Sequence, residues 1–168
     1  MFGLKKLFPD LRYKTIKDIE IELLVKKGIK FAILDIDNTL VPYTMKKPNE
    51  YAISFLNKLK DNGIEFSFVS NNHKERIEIF NKEINAVGVY NAKKPLLYGI
   101  NKAMKKMGSD CKNTVLIGDQ VFTDMLGGNR AGMLTILVEP IKEVNTLFFK
   151  FKRYFEKKIL VLYEKRYK

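Results

Sequence analysis

Short apolar runs along the chain alternate with longer segments whose apolar residues recur every three or four positions. The runs predict five strands, at 30–35, 65–70, 86–90, 114–118 and 134–138. The segments between them predict helices at 50–61, 73–84, 95–107 and 121–131. Strands and helices that alternate in this way are typical of βαβ units. The pattern therefore predicts an α/β fold with a five-stranded, mostly parallel sheet and helices on both faces.

Residues that favour helix ends support these bounds. Asn49 and Asn72 are predicted N-caps, and Pro95 suits a first helical turn. Three glycines suit C-terminal helix positions: Gly63, Gly108 and Gly132. The predicted helices thus have start and stop signals of their own.

The two ends of the chain lie outside the alternating pattern. A helix is predicted at about 16–27, and a long helix from Lys142 onward. Five apolar side chains of the long helix align on one face: Phe148, Phe151, Phe155, Ile159 and Leu162. We expect one domain over 1–168, with an N-terminal extension at 1–29 and a basic amphipathic helix at 142–168.

Composition narrows the class of protein. A chain of 168 residues is long enough for one hydrophobic core. Its single cysteine, Cys111, cannot form an internal disulfide, and no Cys/His cluster suits zinc. There is no signal-peptide pattern and no apolar run near the ~20 residues that span a bilayer. We expect a cytoplasmic protein, soluble or peripheral to a membrane.

The charge points to an acidic partner. The formal net charge is +12, which favours nucleic acid, anionic lipid or a phosphorylated small molecule. Between Lys150 and Lys168 there are eight basic and two acidic residues, so this segment carries half of the net charge. A basic helix with an aromatic face can pack on its own domain or lie on an anionic membrane, and both remain open. Nucleic acid is disfavoured because the basic residues show no recognisable binding pattern.

Polar residues follow four of the predicted strands. In chain order they are Asp35 and Asp37, Ser70, Lys94, and Asp119 and Asp124. The carboxyl ends of parallel strands meet at one edge of a sheet, where ligands bind. We therefore expect these side chains to lie close together.

These residue types suit phosphoryl transfer. A carboxylate such as Asp35 can attack phosphorus and form an aspartyl-phosphate. Because a carboxylate and a phosphoryl group repel each other, a divalent cation is needed, and Mg²⁺ suits carboxylate oxygens. Ser70 and Lys94 can donate to the phosphoryl oxygens, while Asp37 can serve as general acid and base. Alone, "DIDNTL" at 35–40 would equally suit a strand-terminating turn.

Four motifs carry a resemblance to a known family. "DIDNTL", "FVSNN", "KKP" and "GDQVFTD" resemble, in this order, the four motifs of the haloacid dehalogenase-like (HAD) superfamily, with the best fit to its subfamily IIIA phosphatases. Together with the basic tail "FKRYFEKKIL", the longer stretches around them are similar to the bacterial YqeG-type phosphatases. These resemble in turn the mitochondrial phosphatases that act on phosphatidylglycerophosphate. The resemblance covers nearly the whole chain and implies a HAD-like Rossmannoid fold.

The resemblance implies catalytic roles. Asp35 matches the nucleophile and also a magnesium ligand. Asp37 matches the general acid/base, with its backbone carbonyl on the metal. Ser70 and Lys94 match the residues that bind phosphate oxygens.

The resemblance also implies the rest of the metal site. Asp119 matches a magnesium ligand, and Asp124 matches the acid that supports the metal shell directly or through water. Asn38, Thr39 and Asn71 lie within the first two motifs and are further candidate phosphate-binding residues.

The spacing between motifs predicts an open site. Thirty-two residues separate Asp37 from Ser70, and 23 separate Ser70 from Lys94. A loop, a helix and a strand use up each interval and leave no room for a cap domain. An open site favours phosphate on a large body, such as a lipid headgroup, a polynucleotide end or a protein. The loop at 41–48 is the predicted flap, with Lys46 and Lys47 near the incoming phosphate.

The sequence thus predicts a Mg²⁺-dependent phosphatase whose preferred substrate is a phosphatidylglycerophosphate-like lipid, with an anionic membrane surface as a partner of the C-terminal helix. A phosphatase for nucleotides, sugar phosphates or polynucleotide ends remains an alternative. So does a non-catalytic basic binding module on the same fold. The oligomeric state is not predicted.

Overall fold

The computed structural model describes residues 2–142 and 144–167, and a six-stranded sheet runs through its centre. The strands are β1 (Leu11–Tyr13), β2 (Phe31–Leu34), β3 (Glu65–Val69), β4 (Val87–Val89), β5 (Thr114–Gly118) and β6 (Leu134–Val138). Their order is β1-β6-β5-β2-β3-β4, and every pairing between them is parallel. The α/β fold class is confirmed. The predicted domain 1–168 and helix 142–168 include Met1, Glu143 and Lys168, which lie outside the described residues.

The predicted strand count of five was too low by one. All five predicted strands are present, and β1 is added at the edge beside β6. Its three residues are all half-buried, and a run of only three residues is too short for its alternation to indicate a strand. Asp10 fixes its register, because its carboxylate accepts hydrogen bonds from the backbone nitrogen of Thr135 at 2.8 Å and from its hydroxyl at 3.0 Å.

Seven α-helices connect or flank these strands in the described residues. They are α1 (Phe2–Lys5), α2 (Ile21–Lys26), α3 (Glu50–Asp61), α4 (Lys74–Asn81), α5 (Leu97–Met107), α6 (Leu126–Ala131) and α7 (Leu147–Tyr167). A 3₁₀ turn at Ile16–Asp18 precedes α2, so the helix predicted at 16–27 is divided. The helix predicted at 121–131 begins with a π-helical turn at Val121–Met125 and continues as α6.

One of the two predicted asparagine caps is confirmed. Asn49 caps α3, because its side chain accepts a hydrogen bond from the Ala52 nitrogen at 2.9 Å. The prediction for Asn72 was wrong. His73 occupies the N-cap position of α4, and the Asn72 amide instead donates to Asp37 Oδ2 at 3.2 Å. Asn72 is thus engaged by the candidate site.

The sheet separates two apolar clusters. Along β2, Ala32 and Leu34 belong to the cluster that packs against α2, α3 and α4. Ile33 belongs to the opposite cluster, which includes residues of α5 and α7. Because both faces are covered, a central strand such as β2 is apolar along its length. The first polar side chain after β2 is Asp35, at the carboxyl end of the strand.

The C-terminal helix begins at Leu147, five residues after the predicted start at Lys142, and the apolar face that the sequence left open to packing or to a membrane is mostly exposed at its N-terminal end. Phe148, Phe151 and Phe155 are 72%, 66% and 40% exposed. The side chains that face the protein include Glu156, which is 2% exposed, and Ile159. The physical reason is that Glu156 pairs with groups near the end of β5, and these contacts fix the rotation of α7. Among the described residues, none of the helices combines the length and hydropathy needed to cross a lipid bilayer.

Candidate active site

Three carboxylates meet where the neighbouring strands β2 and β5 end. Asp35 follows β2, Asp119 follows β5, and Asp124 lies in the π-helical turn. One carboxylate oxygen from each lies within 4.8 Å of the other two, and all three residues are buried. Carboxylates approach this closely out of water only when cations compensate them.

Lys94 supplies one of these cations. Its Nζ donates to Asp35 Oδ1 at 2.8 Å and to Asp124 Oδ1 at 2.7 Å. Asn71 holds the lysine in place through a reciprocal pair of bonds. Its Oδ1 accepts from the Lys94 backbone nitrogen at 2.7 Å, and its Nδ2 donates to the Lys94 carbonyl at 2.9 Å. Asn71 therefore positions the residue that separates two of the acids.

The cluster still carries more negative than positive charge, and the pKa values reflect this. Burial raises the pKa of Asp35 to about 8, since the attraction of Lys94 only partly opposes the loss of water and the repulsion of the neighbouring acids. Burial likewise raises the pKa of Asp119 to about 6, against the attraction of Arg153. For Lys94 burial favours the neutral form, but Asp124 and Asp35 outweigh it and raise its pKa. Asp35 and Asp119 therefore hold their protons more tightly than a free aspartate does.

Asp119 is held by the C-terminal helix. Arg153 donates through Nη2 to Asp119 Oδ2 and through Nη1 to the Asp119 carbonyl, the latter at 2.7 Å. On the other side, the Thr39 hydroxyl lies 3.4 Å from Asp119 Oδ1. The helix thus contributes a direct contact to one of the acids.

Glu156, one turn further along α7, completes this attachment. It accepts from the Val121 backbone nitrogen at 3.0 Å and from Arg153 Nη1 at 2.7 Å. Val121 is the first residue of the π-helical turn, so its N–H has no acceptor within the helix and Glu156 supplies one. Arg153 and Glu156 therefore hold the segment that carries Asp119 from two directions.

Gly118 makes the close approach of β5 to Asp124 possible. A Cβ atom on Gly118 would lie 2.4 Å from Asp124 Cγ. Asp124 Oδ2 also accepts from the Gln120 nitrogen at 3.1 Å, which ties the acid to the same loop. No side chain larger than hydrogen fits at this position without moving the carboxylate.

Asp37 lies apart from the three buried acids. Its Oδ1 accepts from Arg76 Nε at 3.0 Å and from Arg76 Nη2 at 2.8 Å. The same guanidinium donates to the carbonyls of Met45 and Lys46, each at 2.9 Å. Arg76 therefore joins the candidate acid/base to the predicted flap at 41–48.

Ser70, Asn38 and Thr39 were also predicted to bind phosphate. Ser70 is buried, and its Oγ accepts from the Asn72 nitrogen at 3.0 Å, which leaves its hydroxyl proton to donate. Asn38 has a left-handed φ of 63°, and its side chain accepts from the Tyr43 nitrogen at 3.3 Å. Asn38 and Thr39 thus lie within the loop after β2, where they support its turn.

A cavity of about 530 Å³ opens above the acids. It is lined by Asp35, Asp37, Tyr43, Ser70, Asn71, Asn72, His73, Lys94, Gln120, Thr123, Val144, Phe148, Phe149 and Lys152. Five of the predicted site residues therefore share one cavity: Asp35, Asp37, Ser70, Asn71 and Lys94. Asp119 and Asp124 reach it indirectly, through their contact with Asp35 in the acid cluster.

The donor set fits a magnesium ion. Mg²⁺ prefers carboxylate oxygens, and the three acids offer one oxygen each within a single small volume. Lys94 binds only Oδ1 of Asp35 and of Asp124. Oδ2 of Asp124 also accepts from the Gln120 nitrogen, but a carboxylate oxygen can accept more than one bond, so each acid can still offer an oxygen to another cation. Asp37 could take part only through its backbone carbonyl, since its side chain is turned toward Arg76.

Four residues of the site were not found from the sequence: Arg76, Lys152, Arg153 and Glu156. Arg76 and Lys152 are two among 31 basic residues, with no motif to single them out. Arg153 and Glu156 lie three positions apart, which places them on one helical face. An acid and a base at that spacing beside an aromatic face were a usable signal, although the same pair is common on solvated helices.

Comparisons with known proteins identify relatives of this chain. A family model described as mitochondrial PGP phosphatase matches residues 1–142. The probable phosphatase YqeG of Bacillus subtilis is 37% identical over 158 residues, which cover 94% of this chain and 92% of that protein. A chloroplastic and mitochondrial phosphatidylglycerophosphate phosphatase of Arabidopsis thaliana is 28% identical over 153 residues, or 84% of this chain and 43% of the plant protein.

Solved structures agree in fold. A HAD phosphatase from Thermococcus onnurineus has a TM-score of 0.54 at 13% identity, covering 71% of this chain and 90% of its own. The cobalt-bound deoxy-D-mannose-octulosonate 8-phosphate phosphatase of Haemophilus influenzae has a TM-score of 0.53 at 16% identity, covering 80% and 88%. At these identities the likeness establishes the fold.

Proposed function

We propose a mechanism for this chain, which belongs to the mitochondrial PGP phosphatase family and is a HAD-type hydrolase of phosphoric monoesters. The hydrolysis passes through an aspartyl-phosphate on Asp35, with Mg²⁺ as cofactor. The observation that carries this proposal is the buried group of Asp35, Asp119 and Asp124 around Lys94, which opens into the cavity. Burying three carboxylates together lowers the stability of the fold. A site that binds a metal ion through these carboxylates and a phosphoryl group through Lys94 is the function that suits them.

In the first step a carboxylate oxygen of Asp35 attacks phosphorus. The bond from phosphorus to the ester oxygen breaks, and Asp37 gives a proton to the leaving alcohol. Lys94 and Ser70 donate to the phosphoryl oxygens as negative charge moves onto them. The products of this step are the alcohol and an aspartyl-phosphate.

In the second step water hydrolyses the aspartyl-phosphate. Asp37, now ionised, accepts a proton from the attacking water, and inorganic phosphate leaves with Asp35 restored. Arg76 holds the Asp37 carboxylate beside the cavity in both steps. Because Asn71 and Asn72 fix Lys94 and Asp37 respectively, the two asparagines orient the groups that act on the substrate.

Asp35, Asp119 and Asp124 would hold the magnesium ion, together with the Asp37 carbonyl. When bound, the ion offsets the repulsion between the Asp35 carboxylate and the phosphoryl group. Residues of this chain prepare the site for it, since Thr39 and Arg153 orient Asp119 while the Gln120 nitrogen orients Asp124.

The proposed substrate is a lipid-borne phosphomonoester of the phosphatidylglycerophosphate type, presented at an anionic membrane. The named activity of the plant relative supports this choice. So does the exposed aromatic ridge of α7, formed by Phe148, Phe151 and Phe155, because Phe148 also lines the cavity. Basic residues on the same helix suit anionic headgroups. Phosphatase activity on nucleotides or sugar phosphates is the alternative.

Replacement of the nucleophile tests the chemistry. Asp35→Asn should lower Mg²⁺-dependent hydrolysis of 4-nitrophenyl phosphate by about 10³-fold or more while far-UV circular dichroism is unchanged. The matched control is Asp61→Asn, an exposed carboxylate at the end of α3, which should keep full activity. Wild-type protein without Mg²⁺-dependent phosphate release would overturn the proposal, as would an active Asp35→Asn variant.

Point variants of the ridge test the membrane surface better than removal of α7, because removal would also delete Arg153 and Glu156. Phe151→Ser with Phe155→Ser should weaken co-sedimentation with phosphatidylglycerol vesicles, and phosphatidylcholine vesicles should bind neither protein. Tyr98→Ser on α5, a 59% exposed aromatic, is the control. Equal binding of the double variant and the control would contradict docking through this ridge.

A further inference from the structure

We infer that Lys152 binds a second anionic group of the substrate, next to the phosphomonoester that Asp35 attacks. The inference rests on the proposed phosphatase function and adds a determinant of substrate choice to it. The expected substrate is a phosphomonoester that carries a second phosphate, as a phosphodiester, a few bonds away. Neither the motifs nor the resemblance assigns a role to this lysine.

Lys152 lies on the wall of the catalytic cavity. It lines the same space as Asp35 and Lys94, although it comes from α7 and not from a strand end. Its ammonium group donates to Oε1 of Gln120, the residue that follows Asp119. The Gln120 contact therefore keeps the charge of Lys152 close to the reacting centre.

The partners of the cations around the cavity differ in kind. Lys94 is bound by two carboxylates, and Arg76 and Arg153 each pair with one or more. Within the described residues Lys152 makes no ion pair, and its hydrogen-bond acceptor is a neutral amide. Burial lowers the pKa of Lys152, and the carboxylates of Glu156, Asp124 and Asp119 oppose this shift. Because the described residues give Lys152 no ion pair, its ammonium group can still donate to an incoming anion.

The neighbours of Lys152 indicate what the second group is attached to. Phe148 and Phe149 line the cavity beside the lysine, with their ring centroids 5.8 Å apart. Apolar rings next to a cation suit a phosphate joined to a hydrophobic body better than a free inorganic anion. The arrangement would place the phosphomonoester at Lys94, the phosphodiester at Lys152 and the apolar portion along the rings.

Paired substrates test the inference. Lys152→Met should lower kcat/KM for glycerophosphoglycerol phosphate, which has the second phosphate, by about 10- to 100-fold, as expected for the loss of a bond to a charged group. The loss on 4-nitrophenyl phosphate, which lacks the second phosphate, should be at least about tenfold smaller, so that the ratio of the two kcat/KM values falls. Lys152→Gln, which removes the charge but keeps a polar side chain, should show the same selective loss as Lys152→Met. Lys150→Met, at an exposed position of the same helix, should change neither rate.

Two further substrates distinguish the source of the second phosphate. Intact phosphatidylglycerophosphate in mixed micelles represents a lipid headgroup, and the 5′-phosphorylated dinucleotide pApA, which carries a phosphodiester beside its phosphomonoester, represents a soluble source. A selective loss in either arm supports the inference and identifies the source. An equal loss on all substrates, or no loss on any, overturns it. The proposed function fails separately, when wild-type protein releases phosphate from none of them.

Discussion

The carboxylate of Glu156 offers the most direct test of how α7 is attached. Its side chain is 2% exposed and accepts two hydrogen bonds, from the Val121 nitrogen at 3.0 Å and from Arg153 at 2.7 Å. Glu156→Ala removes both acceptors at once. It leaves a buried backbone N–H without a partner and removes one of the two carboxylates that Arg153 contacts.

The size of the effect follows from these contacts. An unsatisfied buried donor costs about 1–3 kcal/mol, and removing one partner of a buried ion pair costs about 3–5 kcal/mol. Arg153 keeps its contact with Asp119 and is partly exposed, so the lower end applies. We expect Glu156→Ala to lower the free energy of unfolding by about 3 kcal/mol. At ~2–4 °C per kcal/mol, the midpoint of thermal unfolding should fall by about 6–12 °C.

Urea unfolding followed by circular dichroism measures the change directly. Glu83→Gln, at an exposed position after α4, is the control and should leave stability within about 0.5 kcal/mol of wild type. Glu156→Gln should lie between the two, because its amide oxygen can still accept from Val121 while its NH₂ group repels Arg153. A Glu156→Ala protein as stable as the control would refute the idea that this carboxylate anchors the helix.

Three further predictions concern the acids themselves. Gly118→Ala should displace Asp124 and destabilise the fold by about 1–3 kcal/mol, and it should weaken Mg²⁺ binding by about 10- to 100-fold in calorimetry. Because the folded-state pKa of Asp35 is raised from 3.8 to about 8, the folded protein binds a proton that the unfolded chain does not. In EDTA its unfolding free energy should therefore fall as pH rises through this window. Arg76→Met should free Asp37 and lower kcat/KM by about tenfold, with a changed pH profile.

Each of these predictions has its own contradicting result. Gly3→Ala meets nothing within 4 Å and is the control for Gly118→Ala, so equal behaviour of the two would remove the steric argument. The pH slope in EDTA should be smaller in Asp35→Asn, and an identical slope would show that other groups cause it. An Arg76→Met enzyme that is slower but has an unchanged pH profile would place Arg76 in the flap alone.

The sequence predicted the strands and the acids because both depend on local order. Asp35 and Asp119 each follow an apolar strand, and a parallel sheet brings the ends of such strands together whatever else the chain does. Arg153 and Asp119 are 34 positions apart and are joined only by the way α7 packs. Arg12 and Glu164, which are 152 positions apart, meet at 2.6 Å for the same reason. No period or motif encodes contacts of this range.

The rotation of α7 could not be predicted from the sequence for a related reason. A helix that contains Phe148, Phe151 and Phe155 on one face is expected to bury that face, since apolar burial is the dominant favourable contribution to packing. Here the loop after β5 presents a buried carboxylate and a free N–H, which Arg153 and Glu156 satisfy. Leaving those groups unpaired would cost more than exposing part of an aromatic ridge, so the charged face turns inward.

This rotation gives two sides of α7 different physical properties. Arg153 and Glu156 are bound into the acid cluster, and Lys152 borders the cavity at the edge of that face. The aromatic ridge is largely exposed to solvent, and Phe148 at its N-terminal end borders the cavity. The helix spans 21 residues, or about 30 Å. Because Phe148 also lines the cavity, a surface that contacts the ridge at Phe148 lies beside the cavity mouth. The exposed aromatics, for which the sequence left packing on the domain and contact with a membrane both open, are therefore placed where a phosphate-bearing surface would have to approach Asp35.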